Sequence, residues 1–166
     1  MASTFAMNET YGTSGSPTSV DTSYLNLLAA NVASGSDASM APAANPIALP
    51  ASGTNYSFER YFRAHFTGTF TSISTITFYK SAGSLGTGIG ITCGTTGNAT
   101  YTTPVNTASS YSSAVPTTSG GAVSFGPTSL SAAGYSYYGV MQMTVASTAS
   151  SGVVATQTYR FAWQEV

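Results

Sequence analysis

The stretch YSFERYFRAHF, Tyr56 to Phe66, constrains the fold of this chain more than any other. Tyr56, Phe58, Phe62, Ala64 and Phe66 alternate with Ser57, Glu59, Tyr61, Arg63 and His65, and Arg60 breaks the apolar face. A period of two over this length predicts a β-strand with one side buried. The same alternation returns in TITFYKSAG, where Ile76 and Phe78 share a face. It returns again in YSYYGVMQMTVAS, where Tyr135, Tyr137, Met141, Met143 and Val145 do. The closing GVVATQTYRFAWQEV sets Val153, Ala155, Tyr159, Phe161 and Trp163 on one side. GIGITCG, ATYTTPV and AVSFG are shorter β-like runs, and NTASSYSSAVPTTSGG reads as a long polar loop. STASSG, between the last two long runs, suits a hairpin. Strands punctuated by Gly, Pro and Ser, without long amphipathic helices, predict an all-β fold. The expected architecture is an antiparallel β-sandwich, Ig-like or jelly-roll-like, over residues 56–166.

Residues 1–55 read as an extended N-terminal arm, rich in Gly, Ser, Pro, Ala and Asn. Within it YLNLLAANV spaces Tyr24, Leu25, Leu28 and Val32 as one short helix would, with Asp21 or Thr22 as its cap. The alternative is an arm whose leucines dock on a neighbouring chain. Glu9, Asp21 and Asp37 make this arm acidic.

Charged residues make up only 5% of the chain, against about 25% in ordinary globular proteins. The polar surface must therefore come from Ser, Thr, Asn and Gly, which repel little over distance and pack closely on copies of themselves or on another protein. Four basic residues and a net charge of −1 cannot neutralise a run of phosphates, so no nucleic-acid partner is expected. No apolar run approaches the roughly 20 residues of a membrane span, so no membrane partner is expected either. MASTFAMNET has neither a basic nor an apolar signal region, which predicts synthesis in the cytoplasm without secretion by a signal peptide. A single cysteine, Cys93, allows no internal disulfide.

Candidate chemistry is sparse. His65 and Cys93 are the one histidine and the one cysteine. A nucleophilic pair would need them within hydrogen-bond reach, but His65 falls on the face assigned to solvent, and a buried structural thiol is the ordinary state of a lone cysteine. Glu59 and Arg63 on one strand face lie about 13 Å apart at ~3.3 Å per residue, too far to pair directly. Their partners must come from an adjacent strand or another chain. Arg60 is placed to cap a sheet edge, stack on an aromatic ring or meet a neighbour's carboxylate. Glu59 and Glu165 are the carboxylates of the β region, too few for acid–base work, and no set of metal ligands or cofactor motif is present. GSLGTGIG has no following helix or GKS/GKT, so it is not a phosphate loop. Sequons at Asn8, Asn55 and Asn98 are expected by chance in a chain so rich in Ser and Thr. Eleven tyrosines, with Tyr135, Tyr137 and Tyr138 close together, suit either a contact surface or the core.

The segment TNYSFERYFRAHFTGTFTSISTITFYKSAG, Thr54 to Gly83, carries a pattern F-T-G-x-F-T-x-I-S-x-I-x-F-Y-K-S-x-G. It resembles structural proteins encoded by tailed bacteriophages, of the capsid-decoration type, and GITCGTT and TYRFAWQEV fit the same likeness. The resemblance implies a β-sandwich on the outside of a phage head, an oligomer whose partner is the major capsid protein or another virion protein. A tail-tube, head-fibre or receptor- or carbohydrate-binding module of the virion is the alternative. The residues expected to meet a partner are Tyr24, Leu25, Leu27, Leu28, Arg60, Arg63, Tyr137 and Tyr138. No catalytic, cofactor or metal residue is expected.

Overall fold

The computed structural model describes residues 2–34 and 44–166, so Asp37 lies outside the described residues. Strands β1 (Ser3–Thr13), β2 (Ser16–Thr22), β3 (Thr54–Tyr56), β4 (Arg60–Gly68), β5 (Ile73–Ala82) and β6 (Ile89–Thr95) come first. Then follow β7 (Val123–Ser124), β8 (Ser129–Leu130), β9 (Gly134–Tyr135), β10 (Gly139–Ala146) and β11 (Thr158–Glu165). The larger sheet runs β2-β1-β4-β10, with β3 and β6 also on β10 and β9 on β4. The smaller runs β11-β5-β7, with β8 on β5. Every pairing is antiparallel. The fold is thus the expected all-β architecture of two facing antiparallel sheets.

The alternating residues of β4 explain the core. Phe62, Ala64 and Phe66 point inward and meet Ile76 and Phe78 of β5, Cys93 of β6 and Met141 of β10. Phe62 and Phe78 lie 4.8 Å apart between ring centres, and Phe78 and Phe161 5.0 Å apart. Thr75 takes a φ of 54°, and the pairing of β5 with β11 shifts register there. That bulge is why Ile73 and Ile76, three apart in sequence, both reach the core. Gly139 is fixed by a close approach: a Cβ there would stand 2.1 Å from the Phe125 ring.

Four expectations about the elements differ from this structure. Residues 3–22 are not an extended arm but a hairpin in the large sheet, with β1 paired to β4 from Ser3 to Thr10. Phe5 and Met7 alternate inward as a strand predicts, but the next inward position is Glu9, which hides the pattern. The short helix expected over Tyr24–Val32 is absent: the segment is irregular, because its leucines fill the edge of the core from an extended path. Finally, β10 and β11 are not hairpin partners. They belong to different sheets, and the segment between them crosses from one to the other, with Val154 packed beside Met143 and Val145 and Val153 fully exposed at 100%. ATYTTPV likewise forms no strand; Tyr101 from it packs against Tyr61 and Tyr138.

Candidate functional site

Tyr61, Arg63 and His65 alternate with the core residues of β4 and so stand on the outer face of the large sheet. There the chain gathers charge and aromatic rings. The Arg63 guanidinium lies 3.8 Å from the Tyr135 ring centre and 4.5 Å from that of Tyr138. Its Nε donates to Asn8 Oδ1 at 3.1 Å. The His65 ring stacks on Tyr135 at 4.3 Å and 14°, and its Nδ1 sits 2.9 Å from Asp21 Oδ2. Asn8 closes the circuit by donating to Asp21 Oδ1 at 2.8 Å. Burial works against ionisation of Asp21, but the bonds from Asn8 and His65 outweigh it and hold the carboxyl below its ordinary value. The result is a rigid cation between two rings, with a histidine–carboxylate pair alongside.

Arg60 is elsewhere. It is 1% exposed and faces inward at the end of the sandwich, with Nη1 3.4 Å from Glu9 Oε1. Its guanidinium also donates to the carbonyls of Val32 and Ala30. Glu9 in turn accepts from the Ser34 N–H at 2.7 Å and the Ser34 hydroxyl at 2.9 Å. Burial pushes the Glu9 carboxyl up from its ordinary value, and Ser34 and Arg60 oppose that shift. The carboxylate sought for Arg60 thus comes from its own chain, 51 residues away.

Glu59 is also buried rather than on a solvated face. Its carboxylate accepts from the Ser109 hydroxyl at 2.5 Å and the Val105 N–H at 3.3 Å. Gln142 reinforces this seam by donating to the carbonyls of Ser57 and Thr107 and accepting from the Ser109 N–H. The polar loop over 106–118 is held on the sheet by these bonds. A depression of ≈ 340 Å³ opens beside Glu59, Tyr61, Ser109 and Tyr111, but the carboxylate in it is occupied by structural bonds.

Cys93 and His65 stand on opposite faces of the large sheet, so they form no nucleophile–base pair. Burial pushes the Cys93 thiol up to about 12, and the reactive thiolate is correspondingly scarce. Among the described residues no group of three His, Cys, Asp or Glu is placed to hold a metal ion. No helix among them is long and apolar enough to cross a membrane.

The expected contact residues divide sharply. Leu28 is fully buried, and Leu25 and Leu27 pack against the core of their own chain, so these leucines are not free to dock elsewhere. Arg60 is spent on Glu9, and Tyr138 is buried under Arg63. Tyr137 is half-buried against Gly126. Tyr24 is exposed, at 44%, and Arg63 is half-buried on the outer face of the large sheet. Asn8, Asp21 and Tyr135 complete the Arg63 cluster. The signal that pointed to Arg63 was the density of charge in one strand, and no such signal marks the residues that β1, β2 and β9 bring beside it. The fold and this cluster define an all-β sandwich that buries Glu9, Glu59 and Arg60 and pairs Asp21 with His65, while Arg160 and Glu165 are exposed and Arg63 and Lys80 half-buried. No protein-family model, curated protein or solved structure matches the chain.

Proposed function

We propose that the chain is a non-enzymatic structural protein of a tailed-phage virion, a decoration protein that binds the outside of the head and reinforces it. The observation that carries this reading is the fate of its charges. Glu9, Glu59 and Arg60 are buried, Asp21 is tied to His65 and Asn8, and Glu165 is tied to Ser3. Arg160 is exposed and Arg63 and Lys80 are half-buried, and Ser, Thr, Gly and Ala make up most of the remaining exposed positions. Such a surface approaches a protein lattice closely without stranding charge at the contact, and many weak symmetric contacts then add up. The likeness of residues 54–83 to decoration-type phage proteins supports the same reading. In this role the partner is the major capsid protein, and the protein resides on the virion.

The test is co-sedimentation of the purified protein with phage heads lacking it, followed by a reconstruction of the decorated particle. Stoichiometric density on the outer shell is expected; density confined to the tail would overturn the assignment. One observation favours the alternative of a carbohydrate-binding virion module: Tyr135, though its ring is contacted by His65 and Arg63, is 39% exposed, so an aromatic residue reaches solvent beside hydrogen-bonding groups. Specific binding on a glycan array, lost in Tyr135→Ala, would select it.

A further inference from the structure

Among the described residues, the large sheet ends in a strand with one unpaired edge. β2 is paired with β1 alone, in an uninterrupted register from Met7 opposite Thr22 to Thr13 opposite Ser16. Residues 16–21 are all exposed, including Val20 at 39%. The outward peptide groups can be identified. The N–H of Gly12 donates to Asn31 Oδ1 rather than to a strand partner, and its carbonyl accepts from Asn31 Nδ2 and the Tyr101 hydroxyl. Both groups therefore point away from β2, and Gly12–Pro17 is a non-hydrogen-bonded pair. Antiparallel alternation makes Thr10–Ser19 and Asn8–Asp21 the same. The backbone groups of Pro17, Ser19 and Asp21 thus face away from β1, and none has a backbone partner among the described residues.

The other long edges are managed. β6 is covered by the segment around Ser113, which receives the Cys93 N–H at 2.8 Å, and by the Thr92–Ala114 bridge. The free side of β5 carries β7 and β8. The β11 edge is kinked by two register shifts against β5. Bulges, covering segments and edge lysines are how sheets avoid pairing with other chains. Among the described residues β2 has no bulge and no covering segment, and it carries no lysine; its edge devices are Pro17, which withholds one outward N–H, and the charge of Asp21.

We propose that β2 is a self-association edge: two copies pair β2 to β2, antiparallel, about a two-fold axis at Ser19, and join their large sheets into one. The sequence SPTSVDT is self-complementary in this register. Ser19 exchanges its N–H and C=O with its counterpart, and each Asp21 N–H meets the Pro17 carbonyl opposite, where proline offers no donor to waste. Val20 lies opposite Thr18, a β-branched pair that sheets favour. The Asp21 carboxylates are about 13 Å apart at ~3.3 Å per residue, so no like charges oppose. One strand edge buries less than the roughly 1,000 Å² of a stable interface. Association is therefore reversible in solution and is reinforced where a shell holds copies side by side. The proposal rests on the oligomer that the resemblance to decoration-type proteins implies and not on head attachment.

Ser19→Cys tests it directly, because the native Cys93 is buried and unreactive. Under mild oxidation, disulfide-linked dimers are expected at least about tenfold faster than from Val153→Cys, an exposed control. Equal rates overturn the proposal. Ser19→Pro removes an outward N–H while sparing the β1 ladder, and Ser19→Lys adds an edge charge if the proline variant does not fold. Either variant should weaken self-association about tenfold by sedimentation equilibrium, with circular dichroism unchanged. Undiminished association overturns the proposal, since the oligomer then uses another surface. A chain that is monomeric at millimolar concentration yet still coats heads also overturns it and leaves the capsid reading standing.

Discussion

Arg60 and Glu9 show what one buried charge requires. Each alone in the sandwich would be an uncompensated ion, and each is out of pattern in its own strand. Together, with Ser34 and two carbonyls, they form a satisfied pair, apart from Arg60 Nε, which is buried without a partner among the described residues. Removing one member of such a pair commonly costs about 3–5 kcal/mol, whereas replacing both with apolar groups is often neutral or better. Glu9→Leu and Arg60→Met should each lose stability on that scale, and the double variant should regain most of it. Chemical denaturation of the four proteins measures this, and additive losses would show that the two residues do not act as a pair. Gly139→Ala makes a second residue-scale prediction. Its methyl group would enter the space of the Phe125 and Phe62 rings, an overpacking that typically costs about 1–3 kcal/mol. A lowered Tm with an unchanged circular dichroism spectrum is expected. Arg60 was legible in the sequence as an exception, but its partner was not, because nothing local links two residues 51 positions apart.

At the scale of elements, β4, β5 and β10 were legible because their inward positions are apolar and regular. β1 and β2 were not, because Glu9 interrupts the first and the second is exposed on both faces, so neither shows the half-buried alternation that betrays a strand. The distinction has consequences for truncation. An arm is dispensable, but β1 lies between β2 and β4 and brings Phe5 onto Trp163 at 5.0 Å and Phe66 at 5.8 Å. Deleting residues 1–22 should therefore strip β4 of a partner and yield a protein without near-UV circular dichroism or dispersed amide resonances; a cooperative, soluble product would restore the arm. The start of β1 is also tied to β11, since Glu165 accepts from the Ser3 N–H at 2.7 Å and the Ser3 hydroxyl at 2.6 Å. Those bonds hold the Glu165 carboxyl below its ordinary value. A depressed carboxylate contributes fully above its unfolded value and loses that contribution as pH falls through the folded one. The exchange protection of the Ser3 amide should accordingly drop as pH falls below the ordinary carboxylate range. In Glu165→Gln that protection should be lower at neutral pH and nearly flat with pH.

For the whole molecule, the scarcity of charge is the property from which a function can be argued. Composition made that scarcity legible; the structure adds where the charges went, which composition cannot supply. With Glu9, Glu59 and Arg60 inside and Asp21 tied to His65, the other charges left toward the surface among the described residues are Arg63, Lys80, Arg160 and Glu165, too few for a strong long-range field. Ionic strength acts on exposed charges separated by a Debye length or more, about 10 Å at ~0.1 M salt. A contact made by hydroxyl and apolar groups gives salt little to screen. Attachment to a head should then change by less than about threefold between ~0.05 and ~0.5 M salt. A contact resting on several ion pairs would weaken far more over that range. The one outward cation fixed in place on the large sheet is Arg63, clamped between Tyr135 and Tyr138. Arg63→Ala separates two ways of building the contact. If the hydroxyl surface makes it, the variant binds heads as the parent does and remains insensitive to salt. If the outer face of the large sheet makes it, binding falls about tenfold or more and the parent's affinity declines with salt. The salt series and the variant, measured together by co-sedimentation, decide which face of the sandwich is adhesive.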